Sequence, residues 1–265
     1  MRVLAASAVG RGAPLRDDLL VHGENLPVLA ALPDGAFDLA YLDPPFNTGR
    51  IQRRGALSYA DDHADWLEGL LRPCLTRVRD LLAPHGTLYL HLDFREAHRA
   101  RALLDELFGP DAFLNELVWA YDFGGRPRDR WPAKHDTILV YVRTPGAHHF
   151  DAAEVEREPY MAPGLVGPEK AARGKLPTDV WWHTIVGTTS REKTGYPTQK
   201  PEGVLRRIVA ASSRPGGWCL DPFAGSGTLG AACRALGRRF VLVDQSADAI
   251  AVAERRLGVG ARPAA

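Results

Sequence analysis

Leu39-Ala40-Tyr41-Leu42 is an unbroken apolar run that stops at Asp43-Pro44-Pro45-Phe46-Asn47. With no polar residue at alternate positions, such a run reads as a buried strand, which belongs in a sheet with helices on both faces. Proline lacks a backbone N–H and fixes its own φ, so Pro44 and Pro45 end the strand and leave nearby carbonyls without ladder partners. The strand therefore brings a carboxylate, free carbonyl oxygens and a flat ring to one place. That set suits a planar group carrying an NH2: Asp43 and a proline carbonyl each accept one hydrogen, and Phe46 stacks on its face. The plainer reading is a strand ending in a proline-rich turn with a capping Asp.

The rest of the chain alternates strand and helix signals. Leu19 to His22 predicts a strand, and Asn25 caps a helix running to about Leu32. Asn47 to Asp62 is polar, Arg-rich and glycine-punctuated, which predicts a mobile loop beside the Asp43 turn. Trp66, Leu70, Leu71, Cys74, Leu75, Val78, Leu81 and Leu82 recur at helical spacing, with a kink expected at Pro73. Gly86 to Leu92 reads as a strand, and Asp93 opens a helix ending near Phe108. Regularity returns with a helix from about Pro201 to Ser212, a strand at Trp218 to Leu220, a helix after Gly227, a strand at Phe240 to Val243 and a helix from Ala247 to Leu257. This order predicts an α/β fold with a mostly parallel sheet. Between Tyr121 and Thr194 the rhythm breaks, with one strand from Thr137 to Val142. That segment is expected to be an insertion whose Trp131, Trp181 and Trp182 either form a small core or stack on a ligand.

At 265 residues, the chain is long enough for one α/β domain with an insertion or for two small domains. No apolar stretch approaches the roughly 20 residues that span a bilayer, and the first residues do not resemble a signal peptide, so a cytoplasmic protein without membrane contact is expected. Cys74, Cys219 and Cys233 form no metal-ligating or disulfide spacing, which predicts three buried thiols and no metal. The net charge is only +1, yet basic residues cluster at Arg50/Arg53/Arg54, at Arg126/Arg128/Arg130/Lys134 and at Arg191/Lys193/Lys200. Local clusters of this kind contact phosphates, or else form solvated faces in an Arg-rich chain.

A second constellation, Asp221-Pro222-Phe223-Ala224-Gly225-Ser226-Gly227-Thr228, follows a strand and opens a helix. Its glycines let the backbone approach a ligand at a helix N-terminus. Asp244 ends the next strand, where a Rossmann-type unit hydrogen-bonds ribose hydroxyls. The loop lacks both GxGxxG and the Gly-Lys-Ser/Thr ending of a phosphate-binding loop. A nucleoside without phosphates fits it, with Asp221 free for an amino group, which favours S-adenosylmethionine over NAD or ATP.

The Asp-Pro-Pro-Phe-Asn run, the Asp-Pro-Phe-Ala-Gly-Ser-Gly-Thr run and Tyr196-Pro197-Thr198-Gln199-Lys200-Pro201 between them resemble the β-class DNA amino-methyltransferases, in the order of that class. The resemblance implies a Rossmann-like, mostly parallel seven-stranded sheet with helices on both faces. Residues 18–120 and 195–258 would form the permuted catalytic core, and 121–194 the target-recognition insertion. It assigns catalysis to Asp43, Pro44, Pro45 and Phe46. S-adenosylmethionine binding falls to Asp221, Phe223, Gly225, Gly227, Thr228 and Asp244, with Thr198, Gln199 and Lys200 beside the cofactor and Glu24 and Asn25 at a turn near its adenine. Contacts to double-stranded DNA are expected from Asn47, Arg50, Arg53, Arg54, Arg126, Arg128, Arg130, Lys134, Arg191 and Lys193. A homodimer and a cognate restriction endonuclease are further partners that the class implies, with a nucleoid location.

The implied reaction is direct methyl transfer to an exocyclic amino group of a flipped base. Asp before Pro-Pro leans toward adenine N6, with cytosine N4 as the alternative. A C5-cytosine mechanism would need a nucleophilic cysteine, and Cys74 lies on an apolar helix stripe instead. An amino-methyltransferase of protein or RNA, a nicotinamide oxidoreductase and a DNA-binding module without catalysis are the competing readings.

Overall fold

The computed structural model describes residues 1–45, 50–54, 57–61 and 65–258, with side chains described outside 50–54 and 57–61. In chain order the strands are β1 (Arg2–Ala5), β2 (Leu19–His22), β3 (Phe37–Leu42), β4 (Arg50–Arg54), β5 (Leu57–Asp61), β6 (Leu82–Asp93), β7 (Phe113–Ala120), β8 (His135–Val142), β9 (Val180–Trp182), β10 (Trp218–Asp221) and β11 (Arg239–Asp244). The helices are α1 (Asn25–Ala31), α2 (Arg72–Leu81), α3 (Ala97–Phe108), α4 (Pro168–Arg173), α5 (Glu202–Ser212), α6 (Thr228–Ala235) and α7 (Ala247–Arg256). No helix among the described residues is long and apolar enough to cross a membrane.

One sheet of nine strands, in the order β1-β2-β11-β10-β3-β6-β8-β7-β9, organises the molecule. Neighbours pair in parallel from β1 through β6, and β7 and β9 are parallel to each other. Only β8 is reversed, antiparallel to both β6 and β7. The expected seven-stranded sheet is present as β2 through β7 in this order, and β1 and β9 extend it by one strand at each edge. Along β11, Val241 and Val243 enter one apolar cluster with residues of α1, α2 and α3, while Phe240 and Leu242 enter the other with residues of α5, α6 and α7. A strand buried on both faces has no reason to alternate apolar with polar, which is why these strands are continuous apolar runs. At the start of β3, Asp38 is buried and accepts bonds from Arg214 Nε (2.9 Å) and His85 Nε2 (2.9 Å), tying β3 to the chain before β10.

Several expectations change. Asn25 is the first residue of α1 rather than its cap; Glu24 occupies the cap position without a side-chain cap bond. The long helix expected after Trp66 is a π-helical turn, Trp66–Leu71, followed by α2, and Pro73 sits in the first turn of α2, where its missing N–H costs nothing. The loop expected between Asn47 and Asp62 contains an antiparallel hairpin, with Arg50 paired to Asp61 and Arg54 to Leu57. The segment 121–194 is not wholly an insertion, because β8 lies between β6 and β7 in the main sheet and β9 is its edge strand. Strand β7 escapes the periodicity: Asn115 and Glu116 interrupt its apolar residues, and its register slips between Phe113 and Asn115. The three cysteines are free and buried.

Gly86 shows how closely β6 enters this packing. A Cβ there would lie 2.8 Å from the Phe37 carbonyl oxygen and 2.9 Å from that of Ala83, neither of which can move independently of its strand. Gly86→Ala is expected to destabilise the fold by about 1–3 kcal/mol, as overpacking does; urea unfolding of the two proteins measures it.

Candidate active site

Adjacent strands β11, β10 and β3 lead to Asp244, Asp221 and Asp43 at their carboxyl ends. Chain connections diverge here: β10 leads through α6 to β11 on one side, and β3 leads through α2 to β6 on the other. A crevice opens between strands at such a switch point. It has a volume of about 390 Å³. Glu24, Asn25, Asp43, Pro44, Pro45, Thr198, Gln199, Lys200, Asp221, Phe223, Gly225, Thr228 and Asp244 all line it. Tyr41, Leu70, Tyr196, Gln245 and Ser246 also line it, and sequence reasoning assigned none of them a role there. Tyr41 and Tyr196 stood inside the quoted motifs, so proximity was the available signal; Leu70 and Gln245 offered none.

The glycine loop is shaped by its own hydrogen bonds. Asp221 Oδ1 accepts from the Phe223 N–H at 2.9 Å, and Asp244 accepts from the Gly225 N–H and the Ser246 N–H, each at 2.8 Å. Gly225 has φ +49°, and a Cβ there would lie 3.3 Å from the Tyr196 ring. Gly227 differs from its expected role: it precedes α6 at φ +72°, with a would-be Cβ 3.0 Å from Ala253 Cβ, and it does not line the crevice. Beneath the loop, Arg256 donates to Thr228 Oγ1 (2.8 Å), Ser226 Oγ (3.1 Å) and Glu202 Oε1 (2.9 Å). Gln199 spends its amide on the chain, accepting from the Thr194 N–H (2.8 Å) and donating to the Glu192 carbonyl (2.7 Å). Thr198 has φ +57°, the one positive value at a non-glycine among the described residues, and local strain of this kind collects at functional sites.

Burial pushes the Asp221 carboxyl well above the ordinary range, with the charges of Asp43 and Asp244 adding to the effect and the Phe223 N–H opposing it. Burial also raises Asp244, against its two backbone donors and His22. Asp43 is treated differently. Its Oδ1 lies 3.1 Å from Lys200 Nζ, which is also 3.9 Å from Asp136 Oδ2. Asp136 in turn meets His91 Nε2 at 3.1 Å and accepts from the Tyr121 hydroxyl at 2.8 Å, and His91 Nδ1 is 2.7 Å from the Tyr41 hydroxyl. Burial pushes the Asp136 carboxyl up, but the His91 bond and the Lys200 charge outweigh it and bring the value down to about 2. An ionised Asp136 only accepts, so His91 Nε2 carries the hydrogen between them. The Pro45 carbonyl accepts from Trp66 Nε1 at 2.6 Å.

Phe46 and Asn47 lie outside the described residues. Arg50, Arg53 and Arg54 are on β4, and their side chains lie outside the described residues too. Among the other basic residues, Arg128 and Arg191 are exposed, while Arg126 and Arg130 are exposed but paired with Asp122 and Asp129, each at 3.0 Å. Lys193 Nζ donates to the Thr188 carbonyl at 2.8 Å. Lys134 departs from its expected phosphate role: its ammonium donates to the carbonyls of Phe123 (2.8 Å), Gly124 (2.7 Å) and Gly125 (3.3 Å) and closes their turn. The tryptophans divide. Trp181 is buried, with its indole N–H on the Thr178 carbonyl, whereas Trp131 is 95% and Trp182 75% exposed. Both exposed rings stand where the chain meets the same sheet edge as the three acids, Trp182 ending β9 and Trp131 preceding the reversed β8.

A family model described as DNA methylase, of the N6/N4 methyltransferase type, matches residues 37–255, which include both acid-ended loops. The chain belongs to the N6/N4 DNA methylase family. It is 30% identical over 249 residues to a protein named DNA adenine methyltransferase YhdJ from Escherichia coli (strain K12), covering 91% of this chain and 82% of that one. It is 31% identical over 260 residues to the type II methyltransferase M.ScaI of Streptomyces caespitosus, covering 91% and 81%. Among solved structures, the PvuII cytosine-N4-specific DNA methyltransferase matches with a TM-score of 0.70 at 14% identity, over 96% of this chain and 91% of that one. The M1.HpyAVI structure in complex with SAM matches with a TM-score of 0.63 at 20% identity, over 91% and 98%. These two likenesses show the fold, a Rossmann-like methyltransferase sheet.

Within this DNA methylase fold, the Asp136 cluster makes a pH-dependent contribution whose sign follows from its lowered value. Folding favours the ionised form, so the contribution is present above the ordinary carboxylate value and is lost as pH falls through about 2. Asp136→Asn is therefore expected to be less stable than the parent protein at pH 5, by up to roughly 2 kcal/mol, and the gap is expected to close as pH falls from 4 toward 2. Urea midpoints measured along that range test the sign.

Proposed function

We propose that this chain is an S-adenosylmethionine-dependent DNA methyltransferase that modifies the exocyclic amino group of a flipped base, adenine N6 ahead of cytosine N4. The observation that carries this reading is the meeting of the Asp43-Pro44 turn and the Asp221–Thr228 loop, far apart in sequence, in one crevice. Among the described residues, its lining holds four acids, Glu24, Asp43, Asp221 and Asp244, against one basic residue, Lys200. Such a lining suits a cationic sulfonium amino acid joined to an uncharged nucleoside and disfavours a polyphosphate. Asp244 and Phe223 would hold the ribose and adenine. When bound, S-adenosylmethionine supplies a sulfonium methyl whose C–S bond breaks as the new C–N bond forms, the bonding pair remaining on sulfur.

The chain's residues prepare the nitrogen. An aromatic amino group delocalises its lone pair into the ring and is a poor nucleophile. Asp43 and the Pro44 carbonyl would each accept one N–H, freeing the lone pair, and Asp43 would take the proton that the nitrogen loses. Trp66 occupies the Pro45 carbonyl, which favours Pro44 as the second acceptor. Flipping a base costs a few kcal/mol, and stacking on Phe46 would offset part of it. The E. coli relative named an adenine methyltransferase favours adenine, since the cytosine-N4 likeness is one of fold alone. Likeness to M.ScaI supports a type II modification role beside a cognate endonuclease. Residues 121–134 and 143–179, with Trp131 and Trp182, would contact DNA; a homodimer, the class's usual assembly, is part of the same proposal.

Incubation with S-adenosylmethionine and unmethylated genomic DNA, then nucleoside digestion and mass spectrometry, is expected to give N6-methyladenine. N4-methylcytosine would reassign the base, and the absence of both products would overturn the proposal. Asp43→Ala is expected to lower kcat by about 10²–10³-fold, with the S-adenosylmethionine Kd held within about threefold in calorimetry. Trp131→Ala and Trp182→Ala are each expected to weaken DNA binding by about 1 kcal/mol or more, the scale of one stacked base, as read in a gel-shift titration at fixed salt.

A further inference from the structure

Lys200 belongs by sequence to a segment expected beside the cofactor, yet its ammonium stands among groups of another kind. It lies 3.1 Å from Asp43 Oδ1, 3.9 Å from Asp136 Oδ2 and 5.9 Å from the centre of the Trp119 ring, with the residue 9% exposed. Among the described residues, Asp43 Oδ1 is shut away from solvent and makes no aligned hydrogen bond, and the Lys200 ammonium is the cation that faces it. The Asp43 side chain nevertheless keeps 18% exposure and lines the crevice, so with Oδ1 buried its accessible oxygen is Oδ2.

Lys200 is anchored at both ends. Its carbonyl accepts from Thr228 Oγ1 at 3.2 Å, at the start of α6 and at the end of the glycine loop. Its ammonium faces Asp136, which is set by His91 and Tyr121, and His91 is set by Tyr41 on β3, two residues before Asp43. Tyr41, His91 and Asp136 come from β3, β6 and β8, which are neighbours in the sheet, and Tyr121 directly follows β7. Asp136 also draws on the ammonium's charge, so Lys200 is shared between two carboxylates rather than committed to Asp43.

We infer that Lys200 is a positioning residue for methyl transfer: it locks Asp43 Oδ1 so that Oδ2 meets the target amino group, and Asp136 holds the ammonium in place. This rests on the proposed role of Asp43. It separates Lys200 from cofactor binding and makes the Asp136–His91–Tyr41 chain the support of the catalytic acid. Asp43 takes the proton that the nitrogen loses, and Lys200 only holds Asp43 in place.

The test uses the full chain, with single-turnover methylation rates at saturating DNA and S-adenosylmethionine, and the S-adenosylmethionine Kd by calorimetry. Lys200→Met is expected to lower the rate by about 30–100-fold with Kd within about twofold, Lys200→Arg to recover it to within about tenfold of the parent, and Asp136→Asn to lower it by about 3–10-fold. An unchanged rate in Lys200→Met, or a Kd that rises in step with the lost rate, would overturn the inference and return Lys200 to the cofactor. Thermal unfolding of Asp43→Asn, Lys200→Met and the double variant reads the pair with neither DNA nor cofactor present. The double variant is expected to lose less than the two singles together, and simple additivity overturns the pairing. Should Lys200→Met fail to fold, Lys200→Gln takes its place in both measurements. A parent protein that methylates no DNA would instead overturn the proposed function, and the unfolding cycle would still decide whether the pair exists.

Discussion

Asp43, Asp221 and Asp244 stand at the ends of three adjacent parallel strands, where like charges repel. The fold resolves this in three different ways. Burial pushes the Asp221 carboxyl up, so it holds a proton more readily than an exposed acid does. Asp244 is held by two backbone N–H groups from the loops on either side of it. Asp43 receives a cation, Lys200, delivered from a segment that belongs to neither strand. The three acids are thus chemically distinct although they share one origin, the carboxyl edge of a parallel sheet.

Loop and helix geometry follow from that edge. Gly225 must turn with positive φ so that its N–H reaches Asp244, and the same turn leaves room for Tyr196 against the loop. Arg256 on α7 then clamps Thr228 and Ser226 from below while pairing with Glu202 at the start of α5. One guanidinium therefore joins three helices under the crevice, and its five donors in a fixed plane suit that task better than an ammonium would. On the other side, the reversal of β8 puts its first residues at the carboxyl ends of its neighbours, which is how Asp136 comes to face Lys200.

Much of this was legible locally. Asp-Pro-Pro after an apolar run, and a glycine-punctuated turn before a helix, each follow from what proline and glycine do to a backbone, and both lie where expected. The doubly covered sheet was equally legible from unbroken apolar strands. Strand β7 was not, because Asn115 and Glu116 break its pattern, and the Arg50–Asp61 hairpin was hidden by polarity. Pro73 signalled a kink, whereas the chain uses it to start α2 after a π-helical turn. The four basic residues from Arg126 to Lys134 looked alike, yet Lys134 is consumed by three carbonyls of its own loop while Arg128 stays exposed.

By itself the sequence determined the strand-and-helix order, the residues that end each strand and the kind of chemistry those ends can perform, because turn and burial preferences act over a few neighbouring residues. Only the tertiary structure decided which polar groups meet. His91 lies opposite Ile138 and Asp93 opposite Asp136 in the β6–β8 ladder, so the buried contact of His91 with Asp136 is a diagonal one set by strand register. Register depends on partners distant in the chain, and a slip of one residue would turn Asp136 to the other face of the sheet. The partition of Trp181 into the core and of Trp131 and Trp182 to the surface has the same cause: an indole is buried or exposed by what packs across from it.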